Sequence, residues 1–143
     1  MRRYERLPGE PTTLRVYGAT PEELFEEAAY AVFDQGHRLE DIPATYSRPV
    51  IAAGDTIPEL LVAWIDELLA MSRIEGIVPS FFVVDRLEEG GVQGSAAGLP
   101  ATDAPRRGPQ VRGLEEPLPV PVAIPDGWWT DLVVELEARL RPL

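Results

Sequence analysis

Carboxylates stand at the ends of several candidate elements: Glu10, Asp126, Asp131 and Glu135. Brought together, they would form the all-oxygen donor set that hard divalent cations prefer. Spacing alone singles out no subset of them, and solvated surface charge is the plain alternative. His37 is the one histidine. It follows Gly36 after a helical stretch, with no serine or carboxylate motif beside it. It is therefore expected to be solvated or to stabilise the negative end of that helix. The chain has no Cys, which removes disulfides, thiolate metal sites and cysteine nucleophiles. It has no Lys either, because all 13 basic residues are Arg. Schiff-base and P-loop lysine chemistry are thereby excluded. Gly90-Gly91 and Gly94 lack the spacing and the following helix of a phosphate loop. The tandem Trp128-Trp129 either packs in core and rim or offers one ring to a partner. These residues define no enzyme class and suit a binding or accessory module.

The 24 acidic residues outnumber the 13 basic ones, for a net charge of −11. Phosphate neutralisation supplies most nucleic-acid affinity, so no direct nucleic-acid partner is expected. A basic protein surface would be steered toward this chain, although the same charge also serves solubility.

The elements that must position these groups can be read from periodicity and caps. The central stretch is Thr56–Arg73. Thr56 and Glu59 form a capping box, with Pro58 in the first turn. Ile57, Leu60, Leu61, Trp64, Ile65 and Leu68 recur at helical spacing, and Leu69 and Met71 widen the stripe. Gly76 is a natural stop. Ile77–Val84 is a strand-like apolar run continuing to about Leu87. Upstream, Thr12–Tyr17 reads as a strand. Thr20-Pro21-Glu22-Glu23 opens a second capped helix with Leu24, Phe25, Ala28, Ala29, Val32 and Phe33 inward. The Glu pairs of that helix are expected on a solvated face. Ser47–Ala53 contains Pro49 and suits an edge strand.

Glu88–Gly91 is a hairpin turn, with Val92–Ala97 a weak return strand. Gly98–Gly108 is a surface loop. Gln110–Leu114 is a further strand candidate. Leu118–Ile124, with two prolines, is an edge or extended segment, and Pro125-Asp126-Gly127 is a turn. Trp128–Leu136 alternates as a strand, one of the two Trp residues sharing a face with Leu132 and Val134. The order predicts an α+β fold, a mixed or antiparallel sheet packed by two helices, with residues 1–143 as a single domain. No apolar run reaches the roughly 20 residues of a membrane span. Met1–Arg6 leads into no signal-peptide stretch, so a cytoplasmic location is expected.

Three stretches resemble the archease family, small proteins that assist the RNA-splicing ligase joining tRNA halves. Leu14–Ala29 is similar to the family's strand with Arg and a Tyr-Gly turn before a Glu- and Ala-rich helix, followed by Phe33-Asp34. Leu60–Leu69 is similar to its Leu-Leu, Trp, Asp-Glu-Leu-Leu helix. Glu75-Gly76 before an apolar strand is the third. The resemblance implies an archease-like α+β fold and a cytoplasmic RNA-splicing ligase as partner. It also implies a role in tRNA splicing, promoting ligase guanylylation and turnover with a bound divalent metal, Ca²⁺ or Mg²⁺, and with no catalysis or small-molecule substrate of its own. Archeases carry a His-Thr-Ala-Asp element whose Asp is a ligand. Pro11 falls at or near that position here, with Glu10 adjacent. A second ligand Asp near the family's C-terminus has Glu135 as its nearest equivalent. A Lys…Thr-Tyr-His strand is represented at best by Arg112, with Glu115-Glu116-Pro117 after it. The metal residues carried over are therefore Glu10 and Glu135. The alternatives are a diverged interaction protein on the same fold with neither metal nor ligase, and a small hydrolase using a carboxylate pair.

Overall fold

The computed structural model describes residues 3–104, 108–114, 122–124 and 127–136. Within them, eight strands and two helices form two antiparallel sheets. The first contains β1 (Tyr4–Leu7), β2 (Thr13–Gly18), β8 (Gly127–Leu136) and β6 (Val111–Leu114), in that order, and β7 (Val122–Ile124) also pairs with β8. The second runs β3 (Tyr46–Ala53), β5 (Gly91–Pro100), β4 (Ile77–Glu88). The edge position expected for the Pro49 strand is therefore occupied by β3. The α+β expectation holds.

Both capping boxes form. Thr20 Oγ1 accepts from Glu23 N at 3.1 Å, and Thr56 Oγ1 accepts from Glu59 N at 3.2 Å. Each glutamate reaches back one residue beyond the cap, to Ala19 N at 3.1 Å and Asp55 N at 2.9 Å. The helices that follow are α1 (Pro21–Phe33) and α2 (Ile57–Glu75), the latter ending at left-handed Gly76 (φ 65°). Helix α1 packs on β2 of the first sheet and on β4 of the second. That double contact buries Tyr30 and Ala31 besides the six residues expected inward. Helix α2 packs on β3 and continues the core through Trp64, whose indole N–H donates to the Phe25 carbonyl of α1 at 3.1 Å. Ile57, expected within the α2 stripe, lies 37% exposed in its first turn.

Strand β5 departs most from its sequence reading. It spans ten residues and occupies the centre of the second sheet. Its small residues are required by its neighbours. A Cβ on Gly98 would lie 1.8 Å from the Val78 carbonyl oxygen, and one on Gly94 only 2.0 Å from that of Val83. These glycines pair with Pro79 and Val84, beside the two register shifts of β4. Close approach to a bulged strand outweighs the poor strand propensity of Gly, Ala and Ser. The strand also consumes the start of the expected Gly98–Gly108 loop; turns follow at 101–103. Residues Tyr4–Leu7, which carry no strand signal in the sequence, pair with β2 as an edge strand. Asp126, most of Leu118–Ile124 and the segment after Leu136 lie outside the described residues.

Candidate functional site: one end and one face of the first sheet

Strand β8 alternates, with Thr130, Leu132 and Val134 buried against α1 and the core. Trp128 packs against that core, whereas Trp129 belongs to the opposite face. There the register sets Glu5, Arg15 and Asp131 in one row and Tyr17 beside Trp129 in the next. Arg15 forms a two-pronged pair with Asp131, Nε to Oδ1 at 2.7 Å and Nη2 to Oδ2 at 2.9 Å. Its guanidinium carbon also stands 4.8 Å from the centre of the Trp129 ring. The Asp131 hydrogen bond drives the Arg15 pKa further upward. Tyr17 donates to Glu5 at 3.1 Å, and its phenol is pushed up first by desolvation and then by that bond. Asp131 is thus committed to Arg15 and is not a free cation ligand.

Glu10 and Glu135 both lie toward the other end of this sheet. Thr13 pairs with Val133, and Val134 N donates to the Thr12 carbonyl at 3.0 Å. Continuing the register brings Glu135 level with Pro11, next to Glu10 in the exposed β1–β2 turn. Glu135 is engaged at its other side by Arg112 of β6, Nη1 to Oε1 at 3.4 Å. Among the described residues, no group of three or more acidic or histidine side chains converges to hold an ion. The donors present are oxygens, which suit Ca²⁺ or Mg²⁺, but such ions take six or more oxygens. An ion here would need solvent or backbone ligands and would compete with Arg112.

Two other polar groups depart from their sequence readings. Glu26 is not simply solvated, because its Oε2 accepts from Val84 N at 2.8 Å beside the second β4 bulge. Desolvation, opposed by that bond and reinforced by Glu23, Glu27 and Glu22, holds its carboxyl above the usual range. His37 is 4% exposed, not solvated. The turn after α1 folds it inward against a cavity between the C-terminal ends of both helices. Its helix-end position was legible, but its burial was not, since it lines a cavity together with Val111 and Arg112 from far along the chain. The Arg15–Asp131 pair was missed for a related reason. Alternation assigns both residues to outward faces, but only register makes them opposite.

Residues 12–111 match the Archease protein family. This chain belongs to the archease family. It is 38% identical over 89 residues to protein archease of Methanopyrus kandleri, covering 60% of this chain and 64% of that one. It is 35% identical over 75 residues to protein archease of Methanosarcina barkeri, covering 52% and 51% respectively. The matches thus span about half to two-thirds of these relatives. The fold is similar to the solution structure of Methanobacterium thermoautotrophicum protein 1598, with TM-score 0.77 and 22% identity over 95% of this chain and 100% of that one. It is also similar to a crystal structure from Thermotoga maritima described as an archease, possible chaperone, with TM-score 0.63 and 16% identity over 92% and 97%. Among the described residues of this archease, no helix is long and apolar enough to cross a membrane.

Proposed function

We propose that this archease is a cytoplasmic accessory protein for an RNA-splicing ligase, promoting guanylylation and turnover of that enzyme in tRNA splicing without catalysing a reaction itself. Family membership across residues 12–111 is the observation that carries the reading. Two features support it. The net charge of −11 favours encounter with a basic protein surface. Glu10 and Glu135, at one end of the first sheet, offer carboxylates for a weakly held Ca²⁺ or Mg²⁺. Bound there, the ion would supply positive charge at the partner's nucleotide centre. This chain's own contribution is to present the two carboxylates, with Arg112 setting how freely Glu135 is available.

A second reading is favoured by Pro11 near the family's ligand Asp and by Arg112 already holding Glu135. It makes the chain a diverged interaction protein with neither metal nor ligase. Calorimetry with Mg²⁺, Mn²⁺ and Ca²⁺ on the wild type and on Glu135→Ala separates the two. The first reading expects saturable binding that Glu135→Ala abolishes. Wild-type protein that binds none of the three ions removes the metal from the account.

A further inference from the structure

A cavity of about 390 Å³ opens between the C-terminal ends of α1 and α2 and the start of β6. Its buried lining includes Phe33, Leu69, Val78 and Val111. At its mouth are the exposed side chains of Arg73 and Arg112, with His37 also on its wall. The described lining contains no acidic residue. That is unusual for this chain, in which acidic residues outnumber basic ones 24 to 13. Arg73, Arg112 and the one histidine line the same cavity, with Arg112 paired to Glu135 and Arg73 within electrostatic reach of Asp66. The negative helix ends, which would oppose an anion, are capped. The Phe33 carbonyl accepts from Gly36 N and His37 N at 3.2 and 3.3 Å, and the Ser72 carbonyl accepts from Gly76 N. The Gly76 carbonyl accepts from Ala101 N at 2.7 Å. Arg112 shares one carboxylate oxygen of Glu135 at 3.4 Å and keeps further N–H donors.

We infer that this cavity binds a small amphipathic organic anion. The apolar body sits on the Phe33–Val111 floor, and a carboxylate or phosphate group lies between Arg73 and Arg112. The volume falls in the range of small-molecule sites, and an apolar cavity with a few convergent polar groups is their usual composition. Planar guanidinium forks suit either head group through paired N–H donors. This site does not rest on the ligase reading, although it shares Arg112 with the Glu135 pair, which is why Arg73→Ala is tested beside Arg112→Ala.

Amide-resolved NMR titration of the full chain tests the inference. The probes are phenylpropionate and phenyl phosphate, with phenylpropanol as the uncharged body and inorganic phosphate as the bare head group. Expected are saturable shifts at Gly36, Gly76 and Val111 for at least one aromatic anion. Its affinity should be at least tenfold tighter than that of phenylpropanol or inorganic phosphate. Arg73→Ala and Arg112→Ala, both at exposed positions and checked for wild-type spectral dispersion, should each weaken it at least tenfold. The stronger of the two anions identifies the head group. No shifts at these amides, equal binding of phenylpropanol, equal binding of bare phosphate, or unchanged affinity in both variants would each overturn the inference.

Discussion

Replacing Trp64 with Phe isolates the contact that ties the two helices together. Trp64 is fully buried in α2, and its indole N–H reaches the Phe25 carbonyl of α1 at 3.1 Å. The ring also lies over the second sheet, where a Cβ on Gly94 would stand 3.1 Å from Cη2. Phe retains an aromatic ring but loses the N–H and the outer part of the indole. The lost hydrogen bond costs about 1 kcal/mol, and no more, because the Phe25 carbonyl remains inside the α1 ladder. The missing ring carbons, at about 0.8 kcal/mol per methylene-sized group, add about 2 kcal/mol once the void is included. Trp64→Phe should therefore destabilise the fold by about 3 kcal/mol, and Trp64→Ala by about 5 kcal/mol, the top of the usual range. Urea unfolding followed by far-UV circular dichroism measures both, and the slope with denaturant should be unchanged. A Trp64→Phe cost below about 1 kcal/mol would refute this account of the helix–helix contact.

Gly94→Ala should destabilise by at least about 3 kcal/mol, since its Cβ would lie 2.0 Å from a backbone oxygen that cannot simply rotate away. Shortening the ring with Trp64→Phe should not rescue it, and a rescue would mean that Trp64 rather than Val83 is the obstruction. Glu26 holds its proton more tightly when folded, so its contribution favours the folded state at low pH. That contribution is lost as pH rises from about 4.3 through the raised folded value. Asp66, raised chiefly by desolvation, acts in the same direction. Glu26→Gln keeps an acceptor for Val84 N and removes the charge, so stability against pH should fall less steeply across that window; an unchanged profile would contradict the assignment. The Arg112–Glu135 pair is solvent-exposed and worth at most about 1 kcal/mol. Arg112→Ala should accordingly tighten Ca²⁺ at Glu135 by no more than about fivefold by calorimetry, whereas weaker binding would place the ion elsewhere.

Local signals were the most legible part of this chain. Thr20/Glu23 and Thr56/Glu59 announce both helices through hydrogen bonds made within a few residues, and both form. The alternation from Trp128 to Leu136 gives the faces of β8 correctly, although choosing Trp128 over Trp129 required the core itself. What stayed hidden depended on register or on tertiary demand. β5 is poor in strand formers because bulges in β4 leave no room for side chains at Gly94 and Gly98. Arg15 and Asp131 lie 116 residues apart and become neighbours only through the β2–β8 pairing. Glu26 looked like one of several solvated glutamates until the β4 bulge brought Val84 N to it. At the candidate ion site, family likeness alone points to Glu10 and Glu135. The competing Arg112 was visible as a residue, but its partner was not.

Because the proposed function acts on a partner, the direct measurement is single-turnover guanylylation and multiple-turnover RNA joining by an RNA-splicing ligase, with and without this archease. Faster guanylylation and sustained turnover are expected when the protein is added, with the gain reduced in Glu135→Ala. Ligase rates unchanged by saturating, correctly folded protein would contradict the proposed function.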